Sequence, residues 1–201
     1  MSQQSFQATV ARLVSDPDFR DRVQAQGEAA LDSDLTPLER QRVLSIVADK
    51  GLAAARTLHK SFRLTKIYTM LPLTRALLGP DRLAREISAF WKASPCVSHY
   101  FLEESIAFCD FLQTRLGGGL RIKYLAEIVA YERANLELRR PRTGADAPAP
   151  QVVRFAHDPI PLLEQLLKGK RPRAIAARAC ILAGSLDQDG DVQWHISIDA
   201  A

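Results

Sequence analysis

Nothing in this 201-residue chain stays apolar for long. The longest nearly uncharged runs, Ile67 to Leu73 and Ala179 to Gly184, fall far short of the roughly 18–20 residues that a membrane-crossing helix needs. No transmembrane span is expected, and no membrane partner. Residues Met1 to Ser5 carry no basic flank followed by an apolar stretch, so no secretory signal is expected and a cytoplasmic location follows. Cysteine is scarce as well. Cys96, Cys109 and Cys180 lie far apart without a CxxC pair, which suits reduced structural thiols better than a disulfide framework or a zinc site. The net charge of +4 is mild for a dedicated nucleic-acid binder.

Catalytic signatures are missing too. There is no GxSxG, and His59, His99, His157 and His195 have no informative sequence neighbours, so no nucleophile with its base is visible. Gly117-Gly118-Gly119 follows a helical pattern instead of joining a strand to a helix, which argues for a helix cap over a phosphate loop. His99 and Glu103 sit one turn apart, and Glu127, Glu132 and Glu137 share a helix. The paired Glu-x-x-His motifs of a di-iron bundle are absent, and a solvated charged face is the better account. No catalytic residue, metal or cofactor is expected.

What is present is helical periodicity, with 47% of residues hydrophobic. Phe6, Val10, Leu13 and Val14 fall at helical spacing, and Phe19 to Val23 continues it after Asp16-Pro17. Thr36-Pro37-Leu38-Glu39 has the composition of a capping box with proline at the first helical position, and predicts a helix to Lys50 stopped by Gly51. Leu52 to Leu78 reads as helical as far as Pro72, Gly79-Pro80 restarts a helix through Trp91, and further helices follow over Ser98–Leu116 and Ile122–Leu138. The aromatics Trp91, Tyr100, Phe101, Phe108 and Phe111 read as core filling.

Pro141 to Pro150, with three prolines and no apolar period, reads as a linker. Beyond it the pattern changes. Val152 to Phe155 is short and β-branched, Ile160 to Leu167 is a helix behind Pro159, and Ala176 to Leu186 is strand-like. Asp189-Gly190 then turns the chain into the alternating Val192, Trp194, Ile196 and Ile198. The expected fold is therefore α+β: a mainly α-helical N-terminal domain (1–140), a linker (141–150) and a small strand–helix–hairpin module (151–201) with a winged-helix-like element order. From Gln151 onward six basic residues balance six acidic ones, yet Lys168 to Arg173 forms one compact basic loop. That loop reads first as a solvated loop, and otherwise as a phosphate contact or as a patch that receives an acidic peptide or protein.

A winged-helix order would favour DNA, but the helix before the hairpin is apolar at Ile160, Leu162, Leu163, Leu166 and Leu167, which leaves few side chains to read base edges. A sheet edge at Val152 to Phe155 or Val192 to Ile198 suits addition of a peptide strand better, since backbone pairing supplies affinity and alternate side chains supply specificity. Expected peptide contacts are Val152, Arg154 and Phe155 on the first strand, Trp194 and Ile196 on the last, and Lys170, Arg171 and Arg173 for acidic residues.

Across roughly residues 60–138 the order Lys66-x-Tyr68, Leu71-Pro72, Leu78-Gly79-Pro80, Trp91-Lys-Ala-Ser-Pro95 and Tyr124-Leu-Ala-Glu-Ile-Val-Ala-Tyr-Glu-Arg-Ala134 resembles a family named for a DNA-binding domain. Its members are encoded beside multinuclear non-haem iron enzymes that oxidise ribosomally made peptides, and the methanobactin biosynthesis partner protein is a related example. Where a Trp after the Glu is common in the family, Arg133 stands here. The resemblance implies a non-catalytic partner of such an iron enzyme that presents a ribosomally made precursor peptide; from the residues themselves, no nucleic-acid partner is expected. The resemblance places enzyme docking on the helical part, at Trp91, Tyr100, Tyr124, Tyr131 and Arg133. The alternatives are a DNA-binding transcriptional regulator and a structural protein–protein adaptor.

Overall fold

A computed structural model describes residues 2–94, 101–141 and 148–198. The chain divides into two compact units, residues 1–65 and 66–201.

The first unit contains α1 (Ser2–Ser15), α2 (Pro17–Gln26), a 3-10 turn (Gly27–Ala30), α3 (Pro37–Ala48) and most of α4 (Lys50–Met70). Leu13, Phe19, Val23, Leu31, Leu35, Val43 and Leu52 form its core. Local signals set the helix starts. The Asp16 carboxylate accepts from Phe19 N–H at 3.0 Å, and Thr36 and Glu39 form the expected reciprocal box, with Glu39 Oε2 accepting from Thr36 N–H at 2.8 Å. The break between α3 and α4 falls at Asp49, not at Gly51. Asp49 turns extended and its carboxylate accepts from Gly51 N–H, so Gly51 sits within the first turn of α4.

The second unit holds the end of α4 and α5 (Pro72–Leu78), α6 (Pro80–Ala93), α7 (Phe101–Gly117) and α8 (Leu125–Leu138), followed by β1 (Gln151–His157), α9 (Pro159–Leu167), β2 (Ala177–Leu186) and β3 (Val192–Ile198). Pro72 and Pro80 each start a helix, where a missing N–H costs nothing. The triple glycine closes α7 in a Schellman cap: Gly119 is left-handed at φ 104°, Leu120 N–H donates to Arg115 C=O, and Gly119 N–H donates to Leu116 C=O. The rings of Phe90, Phe108 and Phe111 cluster at centroid distances of 5.3–6.2 Å. α8 starts three residues later than the periodicity predicts, because Tyr124 takes a left-handed conformation, φ 68°, before it.

The sheet is antiparallel in the order β1-β2-β3, so β2 is central and both outer strands are edges. The register stacks Val153, Leu182 and Ile196 in one row, and Gln151, Gly184 and Trp194 in another. Val153, Leu182, Phe155 and Cys180 are buried, and this face packs on α8. The observed architecture is α+β with a helical N-terminal part, and the strand–helix–hairpin order stands where the sequence puts it. The strands are not a unit apart from the helices: they belong with α5 to α8, and the division of the chain falls near residue 65 instead of at 141–150. Residues 142–147, most of the expected linker, lie outside the described residues. Among the described residues no helix is long and apolar enough to cross a membrane.

Candidate functional site

One stripe of α8 organises the sheet. Residues 127, 131 and 135 are spaced by four and therefore share a helix face, and Tyr124, the cap residue before α8, meets the same sheet. Tyr124 meets His157 edge-on at 4.8 Å. Glu127 Oε1 accepts from Ala156 N–H at 3.2 Å and lies 2.8 Å from His157 Nδ1. Tyr131 packs against Phe155 at 6.3 Å and Trp194 at 5.0 Å. Asn135 Oδ1 accepts from Trp194 Nε1 at 3.1 Å. The Trp194 ring also lies across Gly184, its cross-strand partner: a Cβ on Gly184 would stand 2.7–2.9 Å from ring atoms, so the smallest residue is required there.

A second stripe of α8 faces the helices. The buried Glu132 carboxylate accepts from the N–H groups of Leu73 at 2.7 Å and Thr74 at 2.9 Å, the first free donors of α5. Burial pushes its carboxyl up to about 7, against the pull of the Thr74 and Leu73 donors and of the Arg75 charge. Cys109 is buried nearby, and burial, then the Glu132 and Asp110 charges, push its thiol well above the ordinary range. That makes it a poor nucleophile.

The two edges differ. β1 has a bulge between Phe155 and His157, and Glu127 takes the Ala156 N–H there, which blunts that edge. Among the described residues β3 pairs only with β2. Its row on the core-facing side is incompletely covered: Trp194 is half-buried, and Ile196 is 46% exposed although its row partners Val153 and Leu182 are buried. The loop before it is built on Asp187, whose carboxylate takes hydrogen bonds from Gln193 Nε2 at 3.0 Å and from the N–H groups of Asp191 and Asp189. Those bonds, the Gln193 one first, hold its carboxyl below the usual range. The hairpin is thus a five-residue loop, with Gly190 left-handed at φ 84° inside it, in place of a dipeptide turn.

The sequence-derived contacts scatter over these features. Val152, 61% exposed, and Arg154 lie on the outer face of β1, whereas Phe155 is 2% exposed and belongs to the core. Trp194 and Ile196 lie on β3, two strands away, so one added strand cannot engage both groups. Lys170, Arg171 and Arg173 are exposed in the loop after α9, which opens with a Schellman cap at Gly169. Of the docking residues, Tyr124 and Tyr131 are spent on the sheet contact, and Arg133 pairs with Asp110 at 2.6 Å and Glu137 at 3.6 Å. Trp91 is half-buried on α6, and Tyr100 lies outside the described residues.

Sequence reasoning missed the Glu127–His157 pair, which joins residues thirty apart, and the pairing of Trp194 with Gly184, for which a glycine inside a strand pattern was the only signal. No group of three or more His, Cys, Asp or Glu among the described residues is placed to hold a metal. Comparison with protein-family models, with curated proteins and with solved structures finds no match.

Proposed function

We propose that this chain is a non-catalytic recognition subunit that takes a ribosomally made precursor peptide as an added strand on β3 and presents it to a multinuclear non-haem iron enzyme. The observation that carries the reading is the open β3 edge, whose core-facing row ends in the exposed Ile196 beside Trp194. An added strand gains backbone hydrogen bonds from such an edge and apolar cover from that row. The identity of the enzyme rests on the family resemblance of residues 60–138. In this role the chain raises the local concentration of the reacting peptide residue at the iron centre and does no chemistry itself.

A DNA-binding role is the second reading, favoured by the basic loop after α9. Against it, α9 buries Leu162 and Leu166 and exposes Ile160 and Leu167, an apolar surface unsuited to base edges. Salt separates the two. Titration of the purified chain with peptides encoded beside its gene should give binding that survives moderate salt. Tight binding of random duplex with a steep salt slope, and none of any peptide, would overturn the proposal.

A further inference from the structure

The sheet that β3 edges carries clusters of opposite charge in the loops at its two ends. At the start of β3 the hairpin loop carries Asp187, Asp189 and Asp191, all exposed. Asp187 folds its carboxylate back onto the loop, while Asp189 and Asp191 make no ion pair among the described residues. α8 ends toward this side with Arg139 and Arg140, and Arg140 is already held by Glu103 and Glu137. At the far end of the sheet β2 begins at Ala177, and the loop that feeds it carries Lys170, Arg171 and Arg173, exposed and likewise without an ion pair among the described residues. Arg173 precedes Ala177 by four residues, at most about 14 Å of extended chain. Arg178, at the same end, is paired with Asp158. The register pairs Val192 with Leu186 and Ile198 with Cys180, so β3 leads from the acidic end to the basic end.

On the reading that this edge takes a peptide, we propose that the accepted strand runs antiparallel to β3 and is charge-ordered: acidic in its N-terminal half, basic in its C-terminal half, with apolar side chains at alternate positions beside Trp194 and Ile196. The sheet is antiparallel throughout, and antiparallel ladders are slightly the more stable per residue. A strand of that sense begins at the end of the sheet fed by the basic loop and finishes at the end that carries Asp189 and Asp191. The reverse charge order would set like charges against each other at both ends, so the charges select direction and register while the backbone supplies the pairing.

The test uses the full chain and two synthetic peptides of one composition, with valine and isoleucine at alternate positions. One has glutamates in its first half and lysines in its second, and the other has them reversed. Fluorescence anisotropy at low salt should show the glutamate-first peptide binding about tenfold more tightly, with the difference shrinking as salt screens the charges. The double variant Asp189→Lys, Asp191→Lys, on an exposed loop, should narrow or invert the preference, and N-methylation of alternate peptide amides should abolish binding. Equal affinity of the two orders would overturn the charge ordering and leave strand addition standing. Absence of binding by either would overturn strand addition itself. A β3-to-β3 dimer in sedimentation that neither peptide dissociates would assign the edge to a second copy of the chain and overturn both.

Discussion

Gly184 is the residue on which the sheet's contact with α8 depends most narrowly. A methyl group there would meet Trp194 ring carbons at 2.7–2.9 Å, and the ring is itself held by Tyr131 and by the bond to Asn135. Gly184→Ala should therefore cost about 1–3 kcal/mol, the usual range for overpacking, and move the indole toward solvent. Urea unfolding and the emission maximum check both, and an unchanged midpoint would show that the ring yields freely. Glu132 makes a different prediction. Its carboxyl is raised from 4.5 to about 7, so the folded chain binds a proton that the unfolded chain has released between those values. Stability from this group is full at the acid side and is lost as pH rises through about 7, by at most about 3 kcal/mol. The urea midpoint should fall between pH 5 and 8, and Glu132→Gln should flatten that fall. The carboxylate's partners, two backbone donors some sixty residues earlier, have no sequence signature, which is why Glu132 reads from sequence as one more charge on a solvated face.

At the scale of elements, the features written in adjacent residues were legible. Thr36-Pro37-Leu38-Glu39 gives its capping box and the glycines after Leu116 give a Schellman cap, because both depend on a few consecutive backbone groups. Features that depend on distant partners were not. Phe155 belongs to a strand pattern that marks an edge equally well on either face, and only the packing of α8 decides that it points inward. The bulge in β1 depends likewise on Glu127, a residue of α8. Glu127→Ala should leave Ala156 N–H without its partner, at a cost of about 1 kcal/mol, and speed amide exchange there while β2 and β3 keep their protection. Unaltered exchange at Ala156 would mean that the bulge holds itself.

At the scale of the molecule, the linker signal at 141–150 sets residues 151–201 apart in sequence, and in the fold the sheet shares a compact unit with α5 to α8. The physical reason lies in α8: its stripe of Glu127, Tyr131 and Asn135, with Tyr124 before it, is polar and aromatic enough to pass for a solvated or docking face, and here it is the seat of the sheet. A chain cut after Arg140 should accordingly expose that stripe, unfold at lower temperature and aggregate. A cooperative transition as high as that of the whole chain would contradict this. The proposed peptide edge and helices α5 to α8 thus belong to one compact unit, and loss of one should compromise the other.

The central claim, that β3 offers an open edge to a peptide strand, is tested most directly by amide hydrogen exchange over residues 192–198 with and without the glutamate-first peptide. Alternate amides of β3 should gain protection in the complex while β1 is unaffected. Protection confined to β1 or to the loop at 168–173, or none in β3, would contradict the account.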